Sequence, residues 1–164
     1  MNIRPATASD HEAIWEIFHA VVQAGDAYVF DPQTTREEAL TYWFRADHHV
    51  YVAEEDGEIL GSYIFRANQP GLGSHVANGS YMTAPQARGK GVGRLMGEHS
   101  LKEAKRMGFR AMQFNIVVAT NGVAVRLWQR LGFRIVGTLP GAFKHAQLGY
   151  VDAHVMFREL DDVA

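Results

Sequence analysis

A chain of 164 residues with 47% hydrophobic content can bury a real core and has one domain's length, so residues 1–164 are read as a single domain. Its formal charge of −2 gives no global basic field and argues against a nucleic-acid partner, while the absence of cysteine removes disulfides, thiol nucleophiles and cysteine metal sites. No run approaches the roughly 18 apolar residues of a membrane span and no basic-then-apolar leader opens the chain, so a cytoplasmic protein with no membrane partner is expected.

Residues 2–6 suggest a strand. Asp10 then stands where it would cap a helix over about 10–23, in which Ile14, Ile17, Phe18, Val21 and Val22 share one face. Residues 26–33 read as a loop in which Tyr28 and Phe30 offer apolar walls. The spacing Thr35-x-x-Glu38 opens a second helix running to about Arg45. His48-His49 adjoins Asp47 but lacks a spaced partner to complete a ligand set, so a solvated loop is expected there, and no metal site anywhere. Val50–Ala53 and Ile59–Phe65 flank Glu54-Glu55-Asp56-Gly57 as a hairpin. The strand from His75 to Thr83 alternates, placing Val76, Asn78, Ser80 and Met82 on one side and His75, Ala77, Gly79 and Tyr81 on the other.

The stretch Arg88-Gly89-Lys90-Gly91-Val92-Gly93-Arg94 follows at once, between strand-like and helix-like runs, and holds little but glycine and positive charge. Glycines let main-chain N–H groups approach an anion closely, and the following helix adds its unpaired donors and the positive end of its dipole. A pyrophosphate fits such a cradle. The dinucleotide fingerprint does not close in either frame, because Arg94 and Met96 stand where the third glycine is needed. A P-loop is excluded because Gly91 follows Lys90. What remains is R-x-x-G-x-G on Arg88, Gly91 and Gly93.

Beyond it, Gly97, Leu101, Ala104 and Gly108 recur at helical spacing, and the small residues among them would let a helix lie close against a sheet. Residues 112–118 form a strand. Ala124, Leu127, Trp128 and Leu131 form the apolar face of a short helix with Asn121 as N-cap and Gly132 just past its end. Residues 133–139 and 151–160 are the remaining strands, separated by a glycine-flanked loop over 141–149 that contains Lys144 and His145. The sum is an α/β chain with a mixed sheet of six to seven strands and about four helices.

R-x-x-G-x-G followed by N-x-x-A-x-x-L-W-x-x-L-G-F resembles the GNAT superfamily of acetyl-CoA-dependent N-acetyltransferases. Within it the chain is most similar to the small-molecule amine and amino-acid enzymes of the phosphinothricin and proline-analogue type. The likeness spans essentially the whole chain and implies the GNAT fold, acetyl-CoA as co-substrate and a homodimer. It places Met82 and Thr83 beside the pantetheine arm, Gly89, Lys90, Gly91, Val92, Gly93 and Arg94 with Arg88 around the pyrophosphate, and Asn121 near the pantetheine.

Two departures from that pattern bear on mechanism. Trp128 stands where many members have a tyrosine that protonates the leaving thiolate, and an indole N–H cannot supply that proton. Asn78 stands where phosphinothricin-type enzymes carry a glutamate, which removes the obvious base. Asn78 and Asn121 are therefore expected as a positioning pair, with proton loss through water or a more distant group such as His75 or His145. Tyr28, Phe30 and Asn78 would contact the substrate, and Lys144 or Arg66 could receive its carboxylate. The implied reaction is direct attack of a small amine, an amino acid or its analogue, on acetyl-CoA in a ternary complex. A protein N-terminal or lysine acetyltransferase and a non-catalytic acetyl-CoA-binding module are the alternatives.

Overall fold

The computed structural model describes residues 1–164. In chain order the elements are β1 (Asn2–Pro5), α1 (His11–Gln23), α2 (Arg36–Trp43), β2 (His49–Glu55), β3 (Glu58–Ala67), β4 (Val76–Thr83), α3 (Val92–Arg106), β5 (Ala111–Val118), α4 (Gly122–Arg130), β6 (Arg134–His145) and β7 (Gly149–Glu159). The strands form one seven-stranded sheet in the order β1-β2-β3-β4-β5-β7-β6. Every neighbouring pair is antiparallel except β4–β5. A parallel pair needs a crossover, and α3 provides it.

Helices cover both faces. The stripe Ile14, Ile17, Phe18, Val21 and Val22 buries α1, and Trp43 of α2 donates its indole N–H to Ser62 Oγ at 2.9 Å on the same face of the sheet. On the opposite face, Tyr51, Tyr63 and Tyr81 are register neighbours on β2, β3 and β4, and their rings stack with centroids 5.0 and 5.3 Å apart beneath α3. Tyr81 ends against Ser100 of α3, its hydroxyl 2.7 Å from Ser100 Oγ. The register of β4 on β3 runs from Gly61↔Thr83 to Ala67↔Ala77 without a shift, so the expected alternation of β4 holds.

Local chemistry departs from the sequence reading in several places. Asp10 does not cap α1. Its carboxylate turns back to take both terminal nitrogens of Arg4, at 2.8 and 2.9 Å, and the Thr7 N–H at 2.8 Å, because a buried carboxylate gains more from a bidentate guanidinium. Thr35 does cap α2, accepting from Glu38 N–H at 3.2 Å. The segment read as a loop over 141–149 is mostly strand: β6 continues to His145, and only residues 146–148 turn. Gly141 and Gly149 flank the expected loop; the structure absorbs Gly141 in a register irregularity between Leu139 and Phe143, and Gly149 opens β7. Gly97 faces α4 rather than the sheet; a Cβ there would meet Leu131 Cδ1 at 2.5 Å and Trp128 at 3.1 Å.

His48 is buried rather than solvated, because the Trp43 carbonyl at the end of α2 needs a donor and His48 Nδ1 lies 3.1 Å from it. His99, on α3, places Nδ1 2.6 Å from the Tyr63 hydroxyl. Burial holds both imidazoles below their ordinary value of 6.5. Between that depressed value and about 6.5 the unfolded chain binds more protons, so stability rises with pH through that window. Thermal scans should show Tm level above about pH 7 and falling as the pH drops below about 6.5. A Tm flat from pH 5 to 8 would contradict the buried neutral state of both rings.

Candidate active site

The site forms where the sheet comes apart. β4 and β5 pair only at Val76↔Ala111 and Ala77↔Met112, and beyond those two rungs they diverge towards their C-terminal ends. The first carbonyl left without a ladder partner on β5 is that of Gln113, and the Asn78 side chain supplies the missing donor, Nδ2 to O at 3.0 Å. Past Ala77 the edge of β4 that faces β5 has no strand beside it, so its alternate main-chain groups stay open as far as Thr83.

Both helices that follow these strands start at the open end. Gly93 of α3 faces Leu127 of α4, and Gly97 faces Leu131 and Trp128, so the two helices run side by side in the same direction with their N-termini together. Ligands in α/β sheets bind outside the carboxyl ends of parallel strands, and here two positive helix ends converge on that place.

The cradle is built from backbone. Gly89 (φ +79°) and Gly91 (φ +81°) occupy the left-handed region, and no atom stands within 4 Å of a Cβ built on either. Gly91 is the N-cap of α3 and offers no side chain to satisfy its donors. The N–H groups of Gly89, Gly91, Val92, Gly93 and Arg94 have no acceptor within the protein. Gly93 is helical and is small for another reason: a Cβ there would lie 3.3 Å from Leu127 and 3.9 Å from Thr83 Oγ1. Arg88 and Lys90 are exposed and free of ion pairs, whereas Arg94 is spent on Glu98, Nε to Oε1 at 2.7 Å. Val92 is buried and anchors the first turn rather than facing the cradle with its side chain.

Trp128 sits over the gap. Its ring lies 4.8 Å from that of Tyr81 on β4 and 4.5 Å from that of Phe114 on β5, and it is 8% exposed. Its ring is packed against Tyr81, Phe114 and Phe133, which suits it to a wall of the gap. Met82 is buried on the face opposite Tyr81, and Thr83 reaches the cradle. Tyr28, from the α1–α2 connection, packs against the core, and burial raises the Tyr81 phenol well above its ordinary pKa.

Asn78 and Asn121 are not brought together. Asn121 Oδ1 accepts from Ala124 N–H at 3.2 Å and caps α4 beyond the open end of the gap. Asn78 stands level with Gln113, five strand residues before the end of β5, so more than about 15 Å separates them. Their amide chemistry suggests a positioning pair, and the length of β5 beyond Gln113 keeps them apart.

What the sequence did not suggest is a ribbon of amides at the closed end. Gln113 Nε2 donates to Asn115 Oδ1 at 2.9 Å, and Asn115 Nδ2 to Asn68 Oδ1 at 2.8 Å, in line with the Asn78–Gln113 bond. Alternating Gln113 and Asn115 on one face of a strand was the available signal. Arg66 lies across from Asn78 in register, half-buried, with its guanidinium donating only to the Ala67 carbonyl at 3.0 Å and no carboxylate beside it. Phe30 packs on Phe18 and Tyr42, with ring centroids 4.9 and 5.0 Å away.

The candidate proton carriers lie elsewhere. His75 is exposed before β4, at the far end from the cradle. His145 Nδ1 accepts from the N–H groups of Gln147 and Leu148 at 3.1 and 3.2 Å, which fixes the β6–β7 turn. That turn closes on the α1–α2 connection, Ala146 N–H to Gly25 O at 2.9 Å. Lys144 extends over the Tyr150 ring at 5.9 Å. No cluster of three or more His, Cys, Asp or Glu is placed to hold a metal ion.

Residues 11–133 match the family model described as the acetyltransferase (GNAT) family. A GCN5-related N-acetyltransferase from Kribbella flavida superimposes with a TM-score of 0.93 and 47% identity, over 96% of each chain. An acetyltransferase from Salmonella typhimurium solved with its cofactor acetyl-CoA has a TM-score of 0.86 and 28% identity, over 100% of this chain and 96% of that one. The L-amino acid N-acyltransferase MnaT of Escherichia coli is 32% identical over 146 residues, 85% of this chain and 83% of that protein.

Proposed function

The chain belongs to the acetyltransferase (GNAT) family and is an N-acetyltransferase with that family's fold, and from this premise we propose that it moves the acetyl group of acetyl-CoA to the amino group of a small amino acid or amino-acid analogue. The observation that carries the cofactor half is the cradle: five main-chain N–H groups without acceptors, at the converging ends of two helices, beside free Arg88 and Lys90. The residues fit a pyrophosphate. Gly89 to Arg94 would hold it by backbone, and Met82 and Thr83 would lie along the pantetheine arm where β4 lacks a neighbour.

Acetyl-CoA supplies an acyl group already activated as a thioester, so the protein's tasks are to orient, to polarise the carbonyl and to let the amine arrive unprotonated. Open N–H groups on the free edge of β4 serve the carbonyl. Neither Asn78 nor Trp128 can take a proton, and the amine loses its own to water. Tyr28 bounds the amine side of the gap, and the unpaired Arg66 guanidinium suits a substrate carboxylate. The amino-acid class is supported by the name of the Escherichia coli relative and by that cation.

Edge strand β6 leaves Ile135, Val136 and Leu139 exposed along its free side, which supports a homodimer joined there; sedimentation showing only monomer would dismiss it. The function is tested by following free CoA release with a library of amino acids, amines and peptides. Amino acids should be turned over and free amines lacking a carboxylate much less. With amines of different basicity, kcat/KM should follow the ionisation of each amine. Turnover confined to peptides, or one enzyme-set inflection shared by all substrates, would overturn the reading.

A further inference from the structure

The Asn78–Gln113 hydrogen bond closes one end of the gap, and its location relative to the cradle gives it a second consequence. The pantetheine arm carries two peptide-like amides and spans about the reach of five strand residues, roughly 17 Å. Measured back along β4 from Thr83, that length ends at Asn78. The thioester would therefore arrive beside the clasp, with the acyl chain directed at the point where β4 and β5 come back together.

On the amine side of the sheet that point is filled by the Asn78 carboxamide, fixed to Gln113 O at 3.0 Å and backed by the Gln113–Asn115–Asn68 ribbon. Below it the strands are paired at Ala77↔Met112 and Val76↔Ala111, so the gap between β4 and β5 ends at the clasp. A two-carbon acyl group stops short of this wall. Each further methylene would have to displace a hydrogen-bonded amide or spread the two strands.

We infer that Asn78 is the acyl-length determinant of this enzyme: its clasp on Gln113 restricts the donor to short acyl groups, acetyl above butyryl. This rests on the acetyl-CoA reading above. Asn78 acts as a wall and a strand tie, a task that a carboxylate could not perform against a carbonyl oxygen.

The test compares kcat/KM for acetyl-CoA and butyryl-CoA with one amine, a ratio from which the folded fraction cancels. Wild type should prefer acetyl by about 100-fold, the scale on which a pocket rejects added methylenes, and Asn78→Ala should lower that preference by about tenfold or more. Asn78→Ser keeps a donor in a smaller side chain and should fall between the two, which preserves the test if the alanine variant folds poorly. Calorimetry with CoA itself runs in parallel. Intact CoA binding with an unchanged acyl ratio in both variants overturns the gate alone. Failure of wild type to bind CoA overturns the acetyl-CoA reading and the gate with it.

Discussion

Gly91→Asp should fold and lose acetyl-CoA binding by about 100-fold or more, the scale of placing a carboxylate within several ångströms of a pyrophosphate. The position is unusually suited to separating fold from function. No atom lies within 4 Å of a Cβ built there, so the substitution meets no clash, and its only cost is a side chain at φ +81°, which aspartate tolerates better than most residues. Aspartate is also a preferred N-cap, and α3 has no side-chain cap. The variant would satisfy the open donors of the helix with its own anion and so compete with the ligand for them. Calorimetry showing wild-type affinity in a folded Gly91→Asp protein would remove the cradle from the binding site.

Trp128 carries the other large effect. Its ring packs on Tyr81 of β4, Phe114 of β5 and Phe133 of the α4–β6 connection, so Trp128→Ala should cost about 3–5 kcal/mol in folding, as truncation of a large buried aromatic does. Trp128→Phe should keep most of the packing and, since the indole was never a proton donor, most of the turnover. Denaturant melts and kcat on both variants check this. A folded Trp128→Phe protein with turnover reduced a hundredfold would show that the indole N–H takes part in the chemistry.

Much of the architecture was legible because it is written in local chemistry. The stripe of α1, the Thr35 cap, the Asp56-Gly57 turn and the Asn121 cap each depend on residues close in sequence, and each stands in the structure. The glycine-rich entry to α3 was legible for the same reason. What was missed depends on distance in space. Asp10 looked like a cap until Arg4 claimed it, and His48 looked solvated until the end of α2 required its donor. Gly97 looked like a sheet contact because nothing in the sequence says that α4 passes there. The separation of Asn78 from Asn121 follows from β5 lying parallel to β4, which alternation within one strand cannot show.

The one sheet has a seam at β4–β5, with four strands on one side and three on the other, held there by two register pairs and a side-chain amide. Under the proposed function, a donor lodged in that seam would do the work of a missing strand between the two sides. Grasping the donor would then also brace the sheet, and the melting temperature of the protein would become a gauge of how much donor surrounds it.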